Sequence, residues 1–330
     1  MVNQTIVVTG GTGFVGANLI KKLNAKGVRN IIIIDNYDER KFNNIKGCSF
    51  IDLISYTKGL EYIEQELNKH LIGGILHIGA NADVLVRDAE VMLHANYDHS
   101  KFYLNYSQER QIPLIYASSS AIYGNSNNCV INTTFEEPHN VYSWSKWMFD
   151  SYVLNNMSGF KNRVIGLRFF NIFGMGEKHK DKNSSLPHRF YQFIQEKGFI
   201  DVFDKEIQRD YVWVDDVTSI IMDLIQNPDI PSGIYNLGSG NPVSHKKLAK
   251  IVAEVFIERG LRRSDEDLIR SIPMPEELNG NFQFYTCAED LPEFVRKYTY
   301  DNEGKISRYI HQMIDMDSKY IDINGIASHV

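Results

Sequence analysis

No stretch of the 330-residue sequence approaches the ~20 consecutive apolar residues that cross a bilayer. The opening Met-Val-Asn-Gln-Thr-Ile-Val-Val-Thr-Gly lacks the basic segment and long apolar stretch of a secretory signal. Cysteine is scarce: Cys48, Cys129 and Cys287 lie far apart without metal-ligand spacing, so neither a disulfide framework nor a metal site is expected. Basic excess is missing too. With 35 Lys and Arg against 41 Asp and Glu, the net charge of −6 argues against a nucleic-acid partner. Repeats and low-complexity tracts are also lacking. The expectation is a cytoplasmic protein with no membrane partner. Its ordinary balance of apolar and charged residues suffices for a sizeable core.

What is present is an alternation of strand-like and helix-like segments. Apolar, β-branched runs occur at Ile6–Thr9, Ile31–Ile34, Ile75–Ile78, Leu114–Ala117 and Val164–Phe170, with helical patterns between them, such as Phe14–Ala25. Continuous apolar strands separated by helices indicate a parallel sheet covered on both faces. The fold class expected is therefore α/β, a doubly wound parallel sheet of Rossmann type, with a smaller C-terminal substrate domain. Residues 1–172 would form the dinucleotide-binding domain, with 210–238 returning to it. Residues 173–209 and 239–330 would form the smaller domain. It opens with the lysine-rich loop Lys178–Ser185, and a further strand is expected over Asp210–Val214.

The first strand runs into Gly10-Gly11-Thr12-Gly13-Phe14-Val15-Gly16 and then a helix. Glycines at 10, 13 and 16 allow a tight turn, close approach of a pyrophosphate and close helix–strand packing. The free N–H groups of the helix start suit a diphosphate. Asp35 ends the second strand, where an acid can bond the adenosine ribose hydroxyls, which favours NAD. Asn36, Arg40 and Lys41 follow and can hold a 2′-phosphate, which favours NADP, so both cofactors stay open. Asp52-Leu53 is expected to flank the adenine.

Tyr142 and Lys146, four apart, share one face of an expected helix, and Ser118-Ser119-Ser120 closes a strand upstream. A phenol with a reference pKa of ~10 becomes a base near neutrality only beside positive charge. Lys146 and an oxidised nicotinamide would supply that charge, and a serine would complete the link to the substrate hydroxyl. Glycine turn, serine strand-end and Tyr-x-x-x-Lys together resemble the extended short-chain dehydrogenase/reductases, of the NAD(P)-dependent epimerase/dehydratase kind. The resemblance covers nearly the whole chain and places the catalytic trio on Ser119, Tyr142 and Lys146. The 4,6-dehydratases of that group carry Asp-Glu after the serine. Ser120-Ala121 stands there instead, so water elimination is not expected.

Further motifs narrow the resemblance. Asn140-Val141-Tyr142, Arg168-Phe169-Phe170-Asn171, His179-Lys180, Arg209-Asp210-Tyr211-Val212, Gly233-Ile234-Tyr235-Asn236 and Leu278-Asn279-Gly280-Asn281-Phe282-Gln283 occur in order. Together they are similar to the ADP-glyceromanno-heptose 6-epimerases, a family of homo-oligomers that hold NADP tightly and oxidise and re-reduce C6 of the sugar. The resemblance implies a nucleotide-sugar substrate and a second acid/base at Lys180, its charge relieved by burial or by Lys178, His179 and Lys182. It implies cofactor contacts at Lys41, Lys58, Ile78, Gly79, Ala80, Asn96 and Ile172. Substrate contacts would fall at Asn81, Ser119, Asn171, Lys180, His188, Phe203, Arg209 and Phe282, with Arg209 as a diphosphate clamp. Where that family has a cysteine and small hydroxyl residues near the nicotinamide, this chain reads Ile78-Gly79-Ala80-Asn81-Ala82-Asp83-Val84-Leu85. Epimerisation of another nucleotide sugar, such as a UDP-hexose 4-epimerase reaction, is the enzymatic alternative. A non-catalytic dinucleotide sensor is the alternative of a different class.

Overall fold

The computed structural model describes residues 4–84, 86–276 and 283–327, with side chains to residue 318. Leu85, Leu278, Asn279, Gly280, Asn281 and Phe282, named above, lie outside the described residues. The first half alternates strand and helix in chain order: β1 (Thr5–Thr9), α1 (Phe14–Ala25), β2 (Ile31–Asp35), α2 (Glu39–Phe42), β3 (Asp52–Ser55), α3 (Leu60–Leu67), β4 (Ile72–His77), α4 (Ala89–Leu93), α5 (His99–Glu109), β5 (Leu114–Ser119), α6 (Val141–Asn156) and β6 (Val164–Phe169). Then come β7 (Asn171–Phe173), α7 (Leu186–Lys197), β8 (Ile200–Phe203), β9 (Gln208–Arg209), β10 (Tyr211–Trp213), α8 (Val214–Gln226) and β11 (Gly233–Leu237). The chain closes with β12 (Val243–Ser244), α9 (His245–Glu258), β13 (Ile269–Ile272), α10 (Glu293–Arg296) and α11 (Asn302–Ala327).

Seven parallel strands form one sheet in the order β11-β6-β5-β4-β1-β2-β3. Every residue of β1 and β2 is buried, because helices cover both faces and leave no polar side to alternate with. Leu19, Ile20 and Leu23 of α1 pack with Val217, Ile220 and Ile221 of α8 on one face. On the other, Ile63, Tyr103, Leu104 and Phe149 of α3, α5 and α6 pack against Val7, Ile32 and Ile34. Each fully buried isoleucine contributes roughly 1.5–3 kcal/mol of transfer free energy. The doubly wound α/β fold expected of the sequence is the fold observed.

The run Val164–Phe170 divides, because its partners change at Phe170. Up to Phe169 it lies between β5 and β11; Phe170 N–H donates to Leu237 O and Asn171 N–H to Asp210 O, and β7 then pairs with β10. A separate core gathers Phe190, Tyr191 and Ile194 of α7, Leu248, Val252 and Phe256 of α9, and Ile306, Tyr309 and Ile310 of α11. Among the described residues no helix is long and apolar enough to cross a membrane.

Candidate active site

From β1 the sheet is built outward in opposite directions, through β2 on one side and β4 on the other. Such a switch point opens a crevice at the carboxyl ends of the strands. Gly10 sits there at φ +66°, and a Cβ on it would lie 2.5 Å from Gly79 Cα, so the ends of β1 and β4 meet at closer range than side chains allow. Gly13 caps α1 without a side-chain bond, leaving the amides of its first turn available to an anion. These features fit a dinucleotide pyrophosphate.

Asp35 is buried at the end of β2. Its Oδ2 accepts from Thr12 N–H (2.9 Å) and Thr12 Oγ1 (2.6 Å), which ties the glycine turn to the ribose-side acid. Lys41 Nζ stands 3.4 Å from Asp35 Oδ1 and 2.6 Å from Asn36 Oδ1. Arg40 instead turns outward to Asp38 at 2.8 Å, holding that carboxylate down at about 2. The pairing register places the expected adenine-flanking residues along β3. Asp52 and Leu53 open β3 opposite Ile32 and Ile33, whereas Ser55 lies opposite Asp35. Ser55 and the Tyr56–Lys58 turn after it occupy the rim of the crevice, and Asp52 lies three residues back along the strand.

At the end of β4, Thr9 Oγ1 accepts from Gly79 N–H (2.9 Å) and lies 2.7 Å from His77 Nδ1. His77 Nε2 lies 2.9 Å from Ser100 Oγ, which donates to Asn96 O. With its proton given to that carbonyl, Ser100 accepts from His77 Nε2–H, so Nδ1 accepts from Thr9. The imidazole is thereby neutral, in line with burial and the nearby Lys146, which push it well below its usual value. A π-turn over His94–Asp98, between α4 and α5, carries Asn96 inward. The Asn96 amide grips the backbone of Asn81 in both directions, at 2.7 and 2.9 Å, and bonds Ser145 Oγ at 3.0 Å. This side chain, expected as a cofactor contact, clamps Asn81 to α6. Asn81 Oδ1 accepts from Asp83 N–H at 3.2 Å, so its own side chain is turned back to its loop.

The capping box of α6 sets the catalytic face. Asn140 Oδ1 accepts from Ser143 N–H and Ser143 Oγ from Asn140 N–H, which starts the helix so that Tyr142 and Lys146 face the end of β5. There Ser119, the last residue of β5, stands beside the Tyr142 phenol. Burial pushes the phenol above its usual value and the neighbouring Ser119 hydroxyl draws it back. Lys146, 4% exposed, donates to Ala117 O at 3.0 Å, and burial lowers it to about 8 against the pull of Asp150. Serine, tyrosine and lysine thus form one assembly at the mouth of the crevice.

The lysine-rich loop is a short 3₁₀ segment over Lys178–Asn183, with Asp181 at φ +47°. It rests on the glycine turn: Lys180 Nζ lies 5.2 Å from the centre of the Phe14 ring, and His179 Nδ1 is 3.0 Å from Asn44 Nδ2. The surroundings of Lys180 differ from those expected. His179 is lowered by burial and by Lys41, hence uncharged at neutrality, and Lys180 pairs with Glu177 at 3.5 Å. Glu177, 1% exposed, also takes Gly174 N–H (3.1 Å), Ser185 N–H (2.6 Å) and Ser185 Oγ (2.7 Å).

On the far side, Asn171 Nδ2 donates to Asp210 O (3.0 Å), and Ile172 lies beside it on β7. Arg209 is half-buried on β9 and bonds Gln208 O, and burial lowers it to about 10. Asp210 is not its salt-bridge partner; that carboxylate accepts from Ser239, Gly240 and Ala288. His188 Nδ1 lies 2.8 Å from Tyr309 Oη, and Phe203 ends β8.

With this geometry in place, the model of the NAD dependent epimerase/dehydratase family matches residues 6–238. The chain belongs to that family. It is 33% identical over 292 residues to the ADP-L-glycero-D-manno-heptose-6-epimerase of Alkalilimnicola ehrlichii, covering 86% of this chain and 88% of that protein. The crystal structure of the Helicobacter pylori ADP-L-glycero-D-manno-heptose-6-epimerase superposes with a TM-score of 0.79 at 26% identity, over 94% of this chain and 96% of that one. The Thermus thermophilus UDP-glucose 4-epimerase, complexed with NAD, shares the fold at a TM-score of 0.70 and 20% identity, covering 93% and 98%. Within this family frame, several residues that shape the site have no sequence signal of their own. Glu177, Asn44 and the Thr9–His77–Ser100 chain are visible only once distant segments are brought together.

Proposed function

We propose that this chain is a nucleotide-sugar epimerase that converts ADP-D-glycero-D-manno-heptose to its L-glycero epimer at C6, using a resident dinucleotide. The observation that carries the reading is the Ser119–Tyr142–Lys146 assembly facing the glycine turn, in a chain a third identical to a heptose 6-epimerase. A dinucleotide held at the glycine turn would supply the hydride acceptor and donor for the sugar carbon. Tyr142 accepts the proton of the C6 hydroxyl, with Ser119 holding that hydroxyl and Lys146 supplying the charge that stabilises the phenolate.

NADP is the cofactor proposed, because Lys41 lies against Asn36 and Asp35 at the ribose edge, where a 2′-phosphate gains a charge-assisted bond. Arg209 would hold the diphosphate of the sugar. Lys180 would be the second acid/base once substrate draws it from Glu177. Supporting that role is its place on a loop docked against the glycine turn. The test is incubation of purified protein with ADP-D-glycero-D-manno-heptose, without added cofactor, and resolution of the two epimers. A mixture supports the reading; unchanged substrate from cofactor-bearing protein rejects this sugar. The rival UDP-hexose 4-epimerase reading is separated by Lys180→Ala, which would leave a tyrosine-only mechanism nearly untouched.

A further inference from the structure

Lys146 is not the only charge sealed beneath the Tyr142 pocket. Asp150, one helical turn further along α6 and 1% exposed, accepts at Oδ1 from Tyr116 Oη (2.9 Å). Its Oδ2 accepts from Ser118 Oγ (2.8 Å) and from Arg168 Nε (2.9 Å). Arg168, wholly buried on β6, reaches on to Glu136 Oε1 (2.7 Å) and Tyr123 Oη (3.1 Å). Arg168 thus joins Asp150 and Glu136 in one buried island, and Lys146 lies one helical turn from Asp150 on α6. Arg168 divides its charge between two acids, which leaves part of the Asp150 charge uncompensated toward α6. Three donors from β5 and β6 keep that carboxylate from swinging away.

Among the described residues Lys146 hydrogen-bonds a neutral carbonyl, Ala117 O, so its charge needs support from further off. Asp150 lies four residues on along the same buried face of α6, which brings its carboxylate alongside the ammonium, and its charge opposes the lowering of Lys146 by burial. His77, facing it from β4, is uncharged, and Tyr142 lies ahead of it on α6.

We propose that Asp150 is a positioning residue for the reaction, which keeps Lys146 cationic beside Tyr142 and so sets the upper pH limit of catalysis. It acts through Lys146 and rests on the epimerase reading of the Ser119–Tyr142–Lys146 assembly. The test is the pH profile of nucleotide-sugar epimerisation by the holoenzyme, from neutral to alkaline pH. In Asp150→Asn the alkaline limb moves down by ~1 pH unit while KM holds, and Asp150→Glu restores it. A limb that stays in place, whatever the loss of kcat, overturns the proposal. Should Asp150→Asn not fold, Ser118→Ala supplies the opposite sign. Deleting one donor leaves the carboxylate charge less dispersed, so the limb moves up, and an unmoved limb again overturns the role. Wild-type holoenzyme inactive on nucleotide sugars defeats the epimerase reading and this proposal with it. Active wild type with unmoved limbs in the variants defeats Asp150 alone.

Discussion

At the scale of single residues, burial raises the Tyr142 phenol above its ordinary value, so on its own it is protonated at neutral pH. It becomes a base only when the charge of Lys146 and of the bound cofactor acts on it. Tyr142→Phe should therefore lower kcat by about 10²–10⁴, with cofactor content, read from absorbance of the released dinucleotide, unchanged. Loss of cofactor alongside activity would mean that Tyr142 is a binding residue. Lys41→Ala should weaken NADP binding by about tenfold, the equivalent of ~1.4 kcal/mol, and NAD binding far less; titration of stripped protein with each cofactor checks this. The glycine turn and Tyr-x-x-x-Lys are legible in the sequence because their geometry is local. The Asp150–Arg168–Glu136 island is not, since its members are brought together only by the pairing of β5 with β6 and the packing of α6 on them. The register of β3 is not legible for a related reason: strand periodicity does not say which end of β3 stands level with Asp35.

At the scale of elements, the loop that carries Lys180 is fastened by one buried carboxylate. Glu177→Ala would leave the Gly174 and Ser185 donors unpartnered, each at a cost of about 1–3 kcal/mol. The expected result is faster amide exchange over residues 174–185 and a raised KM for the sugar, with exchange in β1 and β2 unchanged. Unaltered exchange in the loop would show that its docking on Phe14 and Asn44 alone suffices. The strands of this molecule are readable because helices bury both their faces and force continuous apolar runs. The switch of Phe170 from one sheet to another is not readable, because hydrophobicity continues through it while the hydrogen-bond partners change.

At the scale of the whole molecule, burial holds several histidines uncharged, among them His77 well below its usual value, His99 at about 4 and His245 at about 3. The unfolded chain takes up protons below about pH 6.5 that the folded chain refuses, so stability is full above that pH and falls as pH drops toward the folded values. Each histidine contributes a slope of about 1.4 kcal/mol per pH unit in that window, and urea midpoints measured across it should decline accordingly. A flat profile would show that the histidines open to water without unfolding.

The central claim is that hydride leaves the sugar and returns to it inside one closed crevice. It is tested most directly with ADP-heptose deuterated at C6, incubated without added cofactor in ordinary water. The account predicts an inverted product that keeps its deuterium. Loss of the label to solvent would contradict it, because inversion would then proceed by removal of a proton from carbon rather than by oxidation and return of hydride.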